Sequence, residues 1–149
     1  QLLELGGVCR MQGCVTWYHA TDHNPSGTGR LLVDGQKRGP VFNSLVISDI
    51  SKAYAPNGMN LISSTTELGT TDSEVRRHLS TMWGVETRDW QLIAKYEIPS
   101  ALPLHEVGKV LTQPTKISEH LYVAGDHRTV PSQQGALFSG SLAAQLILN

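Results

Sequence analysis

At 149 residues the chain is long enough for one or two small domains, each with a real core. Its 40% hydrophobic and 17% charged content are ordinary for a globular protein, and a net charge of −1 argues against a nucleic-acid partner, which calls for a basic excess. No run approaches the roughly 18 apolar residues of a membrane-spanning helix.

No secretory leader pattern is present, and the chain does not open with Met, so the first residue is expected not to be a natural start. The expected compartment is the cytoplasm, with peripheral membrane attachment if the substrate is lipophilic. Cys9 and Cys14 are the only cysteines. Their spacing is not that of a zinc or redox pair, and two reduced thiols are expected.

Gln1 to Gln12 reads as an edge or connector. Val15–Ala20 mixes β-branched and aromatic residues and predicts a strand. His19, Asp22 and His23 sit close in sequence, but the first falls in a strand and the second His in a loop. No metal is expected there. Asn24-Pro25 and Gly27-Thr28-Gly29 mark a loop into Leu31–Val33, and Asp34-Gly35 turns the chain toward a strand over Val41–Ser48. Pro56-Asn57-Gly58 is a turn leading into Asn60–Thr65. Strands joined by such short connections favour a largely antiparallel sheet.

Thr71 and Glu74 fit a capping box opening a helix to Trp83, with Val75, Leu79, Met82 and Trp83 on one side and Gly84 to end it. Asp89–Ile98 predicts a strand stopped by Pro99. Within it Trp90, Leu92, Ala94 and Tyr96 alternate toward one face, so Trp90 and Tyr96 either line a substrate cavity or pack a core. Ala101–Thr115, with two prolines and a glycine, is expected to cross between layers. No internal repeat or low-complexity tract is evident.

The end of the chain organises the rest. Leu121-Tyr122-Val123-Ala124 followed by Gly125-Asp126 predicts a short buried strand stopped by a turn. From Ser132, a suitable N-cap, the pattern becomes helical. Phe138, Leu142 and Leu146 form a bulky stripe beside an arc of small residues, Ala136, Ser139, Gly140, Ala143 and Ala144. Gly140 in mid-helix costs about 1 kcal/mol against Ala, so a close approach is expected there. That approach is either tight packing or a ligand brought near the helix N-terminus at Gly135 and Ala136. His127 and Arg128 read as a solvated loop pair, or as a pair approaching the ring edge or phosphates of a bound ligand. Ser132 and Ser139 lack a His–Asp partner pattern, so neither is a hydrolase nucleophile.

Tyr122-Val123-Ala124-Gly125-Asp126, with Gly135-Ala136-Leu137-Phe138-Ser139-Gly140 and Ala143-Ala144, resembles the carboxy-terminal FAD motif of the amine-oxidase-like flavoproteins. That superfamily includes amine oxidases, protoporphyrinogen oxidases and carotenoid desaturases. The resemblance implies non-covalent FAD, with Gly125 and Asp126 at the ribityl chain and Gln134, Gly135 and Ala136 facing the pyrimidine end of the flavin. Negative charge gathers there on reduction, and a helix dipole stabilises it.

The implied fold class is α+β, a fragment of an α/β FAD-binding fold. It consists of a mainly antiparallel sheet with a flanking helix, plus the last strand and helix of the FAD domain. Residues 1–110 are assigned to the substrate-binding domain and 111–149 to the FAD-binding domain. The glycine-rich dinucleotide motif that opens such a fold is absent, since Gly27-Thr28-Gly29 is followed by Leu32 and lacks a strand–helix setting. The chain is therefore expected to be the carboxy-terminal part of a longer flavoenzyme. It should bind FAD weakly alone, pair with the missing amino-terminal half, and self-associate through its bare helix.

The position that commonly holds an aromatic in amine oxidases is Ser132 here. Weight thus moves from C–N toward C–C bonds as the hydride source in a small-molecule substrate. No catalytic residue is assigned. Two other functions fit the same residues: a non-catalytic packing or partner-docking module, and a flavin-dependent isomerase.

Overall fold

The computed structural model describes residues 9–108 and 110–148. The chain divides into two compact units, one spanning Gly13–Pro99 and one joining described residues 9–12 to 100–148. The sequence boundary drawn near residue 110 lies about ten residues beyond this division.

The first unit is built on a five-stranded sheet: β1 (Met11–Thr21), β2 (Leu32–Val33), β3 (Val41–Val46), β4 (Asn60–Thr66) and β5 (Gln91–Pro103), in the order β2-β3-β4-β1-β5. Strands β1 and β4, β2 and β3, and β3 and β4 pair antiparallel, as the short turns predict. The Asp34 turn and the Pro56–Met59 turn form as expected, the second closed by the Met59 amide on the Pro56 carbonyl, with Gly58 at φ 81°.

Helix α2 (Asp72–Trp83) covers one face. Thr71 caps it, Glu74 completes the capping box, and Gly84 ends it at φ 69°. Val75 and Leu79 are buried against Val15, Trp17, Val41, Val46 and Ile62, with Met82 and Trp83 packed at the margin.

The inner face of the sheet also carries hydroxyls. Ser44 Oγ and Ser64 Oγ lie 2.9 Å apart, the Trp83 indole donates to Ser44 Oγ at 3.0 Å, and the Trp17 indole donates to Thr66 Oγ1 at 2.9 Å. These bonds satisfy polar groups that burial would otherwise penalise.

Three expectations need correction. Strand β3 ends at Val46, because Ile47–Ile50 forms one helical turn, α1, whose Ser48 Oγ accepts the Leu61 amide. Strand β5 runs through Pro99 to Pro103. It is the sheet's edge, where a missing N–H removes no ladder bond. Leu121–Tyr122 forms a two-residue strand, β7, paired only with β6 (Lys116–Ser118). Leu121 is exposed and Tyr122 half-buried, so the apolar run is not a buried strand.

The second unit closes with helix α3 (Gln133–Leu148). Cys9 and Cys14 are free thiols. No helix among the described residues is long and apolar enough to cross a membrane.

Candidate functional site

The Gly125-Asp126 turn and the start of α3 come together in the second unit. Gly125 sits at φ 153°, and a β-carbon there would lie 2.6 Å from the His127 ring. Its amide donates to Ser139 Oγ at 3.0 Å, tying the turn to the first turns of α3. Asp126–Arg128 then form a single 3-10 turn, closed by the Arg128 amide on the Gly125 carbonyl and the Thr129 amide on the Asp126 carbonyl. The Asp126 carboxylate itself meets no donor among the described residues.

Ser132 caps α3 as expected. Its Oγ accepts the Gly135 amide at 3.0 Å and its carbonyl accepts the Ala136 amide at 3.0 Å. The amides of Gln133 and Gln134, the first two of the helix, find no acceptor among the described residues. They carry the positive end of the helix dipole.

Gly135 has a requirement of its own. A β-carbon there would lie 1.8 Å from the Val130 carbonyl oxygen, and Thr129 Oγ1 donates to the Gly135 carbonyl at 2.8 Å. The glycine is demanded by the chain's own preceding turn, while Ala136 and Gln134 are exposed. Gly140 meets nothing within 4 Å, so the close approach expected there is absent among the described residues.

One other position departs from expectation. Arg128 is 6% exposed and not solvated: its guanidinium donates through Nη2 to the Pro114 carbonyl, and Nε has no partner. The Gln113 amide donates to the Arg128 carbonyl at 2.7 Å, so this residue braces segment 113–115 against the turn. His127 is exposed.

Trp90 and Tyr96 do not share a face. The Trp90 amide closes a turn on the Thr87 carbonyl just before β5, which swings the indole into the core beside His19, with centroids 6.2 Å apart. Tyr96 stays on the opposite, open face of the sheet. There it meets Tyr18 edge to face at 6.1 Å, near the exposed Leu92 and Ile98. Sequence reasoning missed Tyr18, although its alternation with Trp17 placed it on that face.

The histidines near Asp22 are divided as expected. His23 Nδ1 lies 2.5 Å from Asp22 Oδ1 in the exposed loop, while His19 is buried and contacts Asp72. Among the described residues no three His, Cys, Asp or Glu side chains converge on a point where a cation would fit.

His19 Nε2 is 2.9 Å from Asp72 Oδ1, and Arg76 Nε donates to Asp72 Oδ2 at 2.7 Å. Burial pushes the His19 pKa below its ordinary value, against the opposing pull of Asp72. Burial also pushes the Asp72 carboxyl up, but hydrogen bonds from His19 and Arg76 outweigh it and lower the pKa. A second pair locks the other end of α2. His78 Nδ1 accepts the Val41 amide at 3.0 Å, so its Nε2 carries the proton donated to Asp34 Oδ2 at 2.9 Å. The Arg38 amide, 2.6 Å from Oδ2, is the main reason that the Asp34 carboxyl is lowered to about 2, with burial opposing and His78 assisting. Both pairs fasten a helix to a sheet, which is a structural role.

No family profile and no curated protein matches this sequence. Solved structures do. An oxidoreductase from Methanosarcina mazei matches at 11% identity and a TM-score of 0.60, over 99% of this chain and 36% of that one. A reduced UDP-galactopyranose mutase matches at 16% identity and a TM-score of 0.69, over 94% of this chain and 34% of that one. The chain thus spans about a third of the length of either. At these identities the likeness is one of fold: a mixed α/β chain with a mainly antiparallel sheet, corresponding to part of each longer chain.

Proposed function

We propose that the chain is the carboxy-terminal part of an FAD-dependent oxidoreductase of the amine-oxidase-like superfamily. The observation that carries this reading is that the turn bearing the unengaged Asp126 carboxylate is tied through Gly125 to Ser139 of α3, the helix whose start leaves the Gln133 and Gln134 amides bare. The donor set suits FAD. Asp126 would accept from a ribityl hydroxyl, and the start of α3 would favour the electron-rich pyrimidine edge. The Gly125 amide is already used by Ser139, so Gly125 serves the turn's shape and not the cofactor directly.

When bound, FAD would supply a hydride acceptor for a carbon of the substrate, and the protein's part would be to hold both in position. On this reading the sheet unit belongs to the substrate-binding domain, with Tyr96 and Tyr18 on its open face as candidate contacts for a small-molecule substrate, and α3 belongs to the FAD domain. Ser132 in place of an aromatic favours a C–C over a C–N bond as the hydride source. The missing amino-terminal half of the FAD domain is the expected partner, the site of action is the cytoplasm, and the chain alone holds FAD weakly.

A second reading has its own support. One structural neighbour is a mutase in a reduced state, which fits a flavin-dependent isomerase with no net oxidation. Titrating FAD into this chain, and into a mixture with the complementary half, tests the proposal: binding that strengthens on reconstitution supports it. No FAD uptake in either sample overturns it in favour of a packing or docking module. Anaerobic turnover without net oxidation separates isomerase from oxidoreductase.

A further inference from the structure

Strand β5 is the long edge of the sheet. The opposite edge, β2, has two residues, whereas β5 runs from Gln91 to Pro103, and among the described residues no strand pairs with its outer side. An edge of that kind offers unpaired amides and carbonyls to another strand, and natural edges often block this with a lone charge. Here the charge is cancelled. Lys95 and Glu97 are the only charged residues in the stretch 91–99, and Lys95 Nζ lies 2.7 Å from Glu97 Oε1. Ile93, Tyr96 and Ile98 are exposed along the same stretch.

The two charges also select what fits the edge. Lys95 Nζ stands 5.0 Å from the centroid of the Trp17 ring, and Glu97 shares that face. Tyr96 lies on the other face, against Tyr18. Residues directly opposite in an antiparallel pair share a face, where unlike charges attract and like charges repel. A two-fold axis at Tyr96 sets Lys95 of each copy opposite Glu97 of the other, Ala94 opposite Ile98, and Ile93 opposite Pro99. Moving the axis one residue back sets Lys95 against itself, and one residue forward sets Glu97 against itself. The strand is thus complementary to its own copy in the register centred on Tyr96. We infer that β5 is a docking edge for a second copy of this chain, paired antiparallel about Tyr96 so that the two sheets run on as one.

The test mixes two charge variants of the full chain. Lys95→Glu leaves two carboxylates at these positions and Glu97→Lys leaves two ammonium groups, so each variant opposes like charges across the axis. Both side chains are exposed, and losing their surface pair costs the fold little. Each variant alone is expected to dimerise at least about tenfold more weakly than the parent. An equimolar mixture restores both unlike pairs, and native mass spectrometry with one variant isotope-labelled should show heterodimer far above the share given by random pairing. Association through α3 is indifferent to these charges and gives a random mixture, which overturns the inference. A mixture that stays monomeric also overturns it.

Hydrogen exchange of the unsubstituted chain reads the same edge without a substitution. Amides in the stretch 93–98 are expected to gain protection as protein concentration rises. Protection that does not change with concentration means that this edge is either open or covered within one chain, and overturns the inference.

Discussion

His19 and Asp72 join the sheet to its covering helix through a single contact of 2.9 Å, made by a histidine with no solvent exposure. The carboxylate also holds Arg76, whose guanidinium reaches the Thr87 and Trp90 carbonyls. One acidic side chain thus organises a strand, a helix and the connection to β5. Asp72→Ala leaves a buried imidazole N–H and a guanidinium short of an acceptor, and is expected to destabilise by about 1–3 kcal/mol. Urea unfolding measures it, and a change near zero would show that the two donors find other partners.

The same contact predicts a pH dependence. The folded His19 pKa lies below its ordinary value of 6.5, so the unfolded chain takes up the proton first. Stability is therefore full above that value and falls as the pH drops below it, until the folded group also protonates. Asp34 acts in a lower window. Its folded pKa of about 2 lies below the ordinary 3.8, so its contribution is present above 3.8 and is lost between the two values. Melting temperatures should decline in two phases, and His19→Asn should remove the upper one. A flat profile between about pH 7 and 5 would contradict this account.

Two glycines should respond in opposite ways. A β-carbon at Gly39 would lie 2.5 Å from the His78 ring, which is held between Val41 and Asp34 and cannot give way. Gly39→Ala is expected to destabilise by about 1–3 kcal/mol. Gly140 has open space around it in mid-helix, so Gly140→Ala is expected to stabilise this chain by about 1 kcal/mol. Thermal unfolding of both variants checks the pair, and a destabilising Gly140→Ala would reveal a neighbour close to α3.

Helix α3 exposes Phe138 at 53%, Leu146 at 46% and Ile147 at 61%, so apolar surface remains on more than one side. Each such side chain gains roughly 1.5–3 kcal/mol on burial. Without a complementary half, a second copy is the available cover. Light scattering should show concentration-dependent self-association that Phe138→Ser weakens. A strict monomer at high concentration would exclude it.

The legible parts of the sequence were those governed by local chemistry. Thr71 and Glu74 announced the start of α2, Gly84 its end, and Ser132 the cap of α3, because caps depend on residues within one turn. Long-range partners were not legible. Nothing near Trp90 says that a turn on Thr87 sends it into the core, and nothing near Arg128 says that the Pro114 carbonyl takes it out of solvent. The inner hydroxyls Ser44, Ser64 and Thr66 look like a solvated face until Trp17 and Trp83 are seen to bond them. The apolar run at Leu121 misled for the converse reason: hydrophobicity predicts burial only where another layer exists to cover it.

The central claim is that an acidic turn and the start of α3 hold FAD. Flavin content of the FAD-loaded full-length protein, compared with its Asp126→Ala variant after equal dialysis, tests it most directly. Loss of most of the flavin from the variant, with an unchanged melting temperature of the sheet unit, is the predicted result. Full retention of flavin by the variant would contradict it.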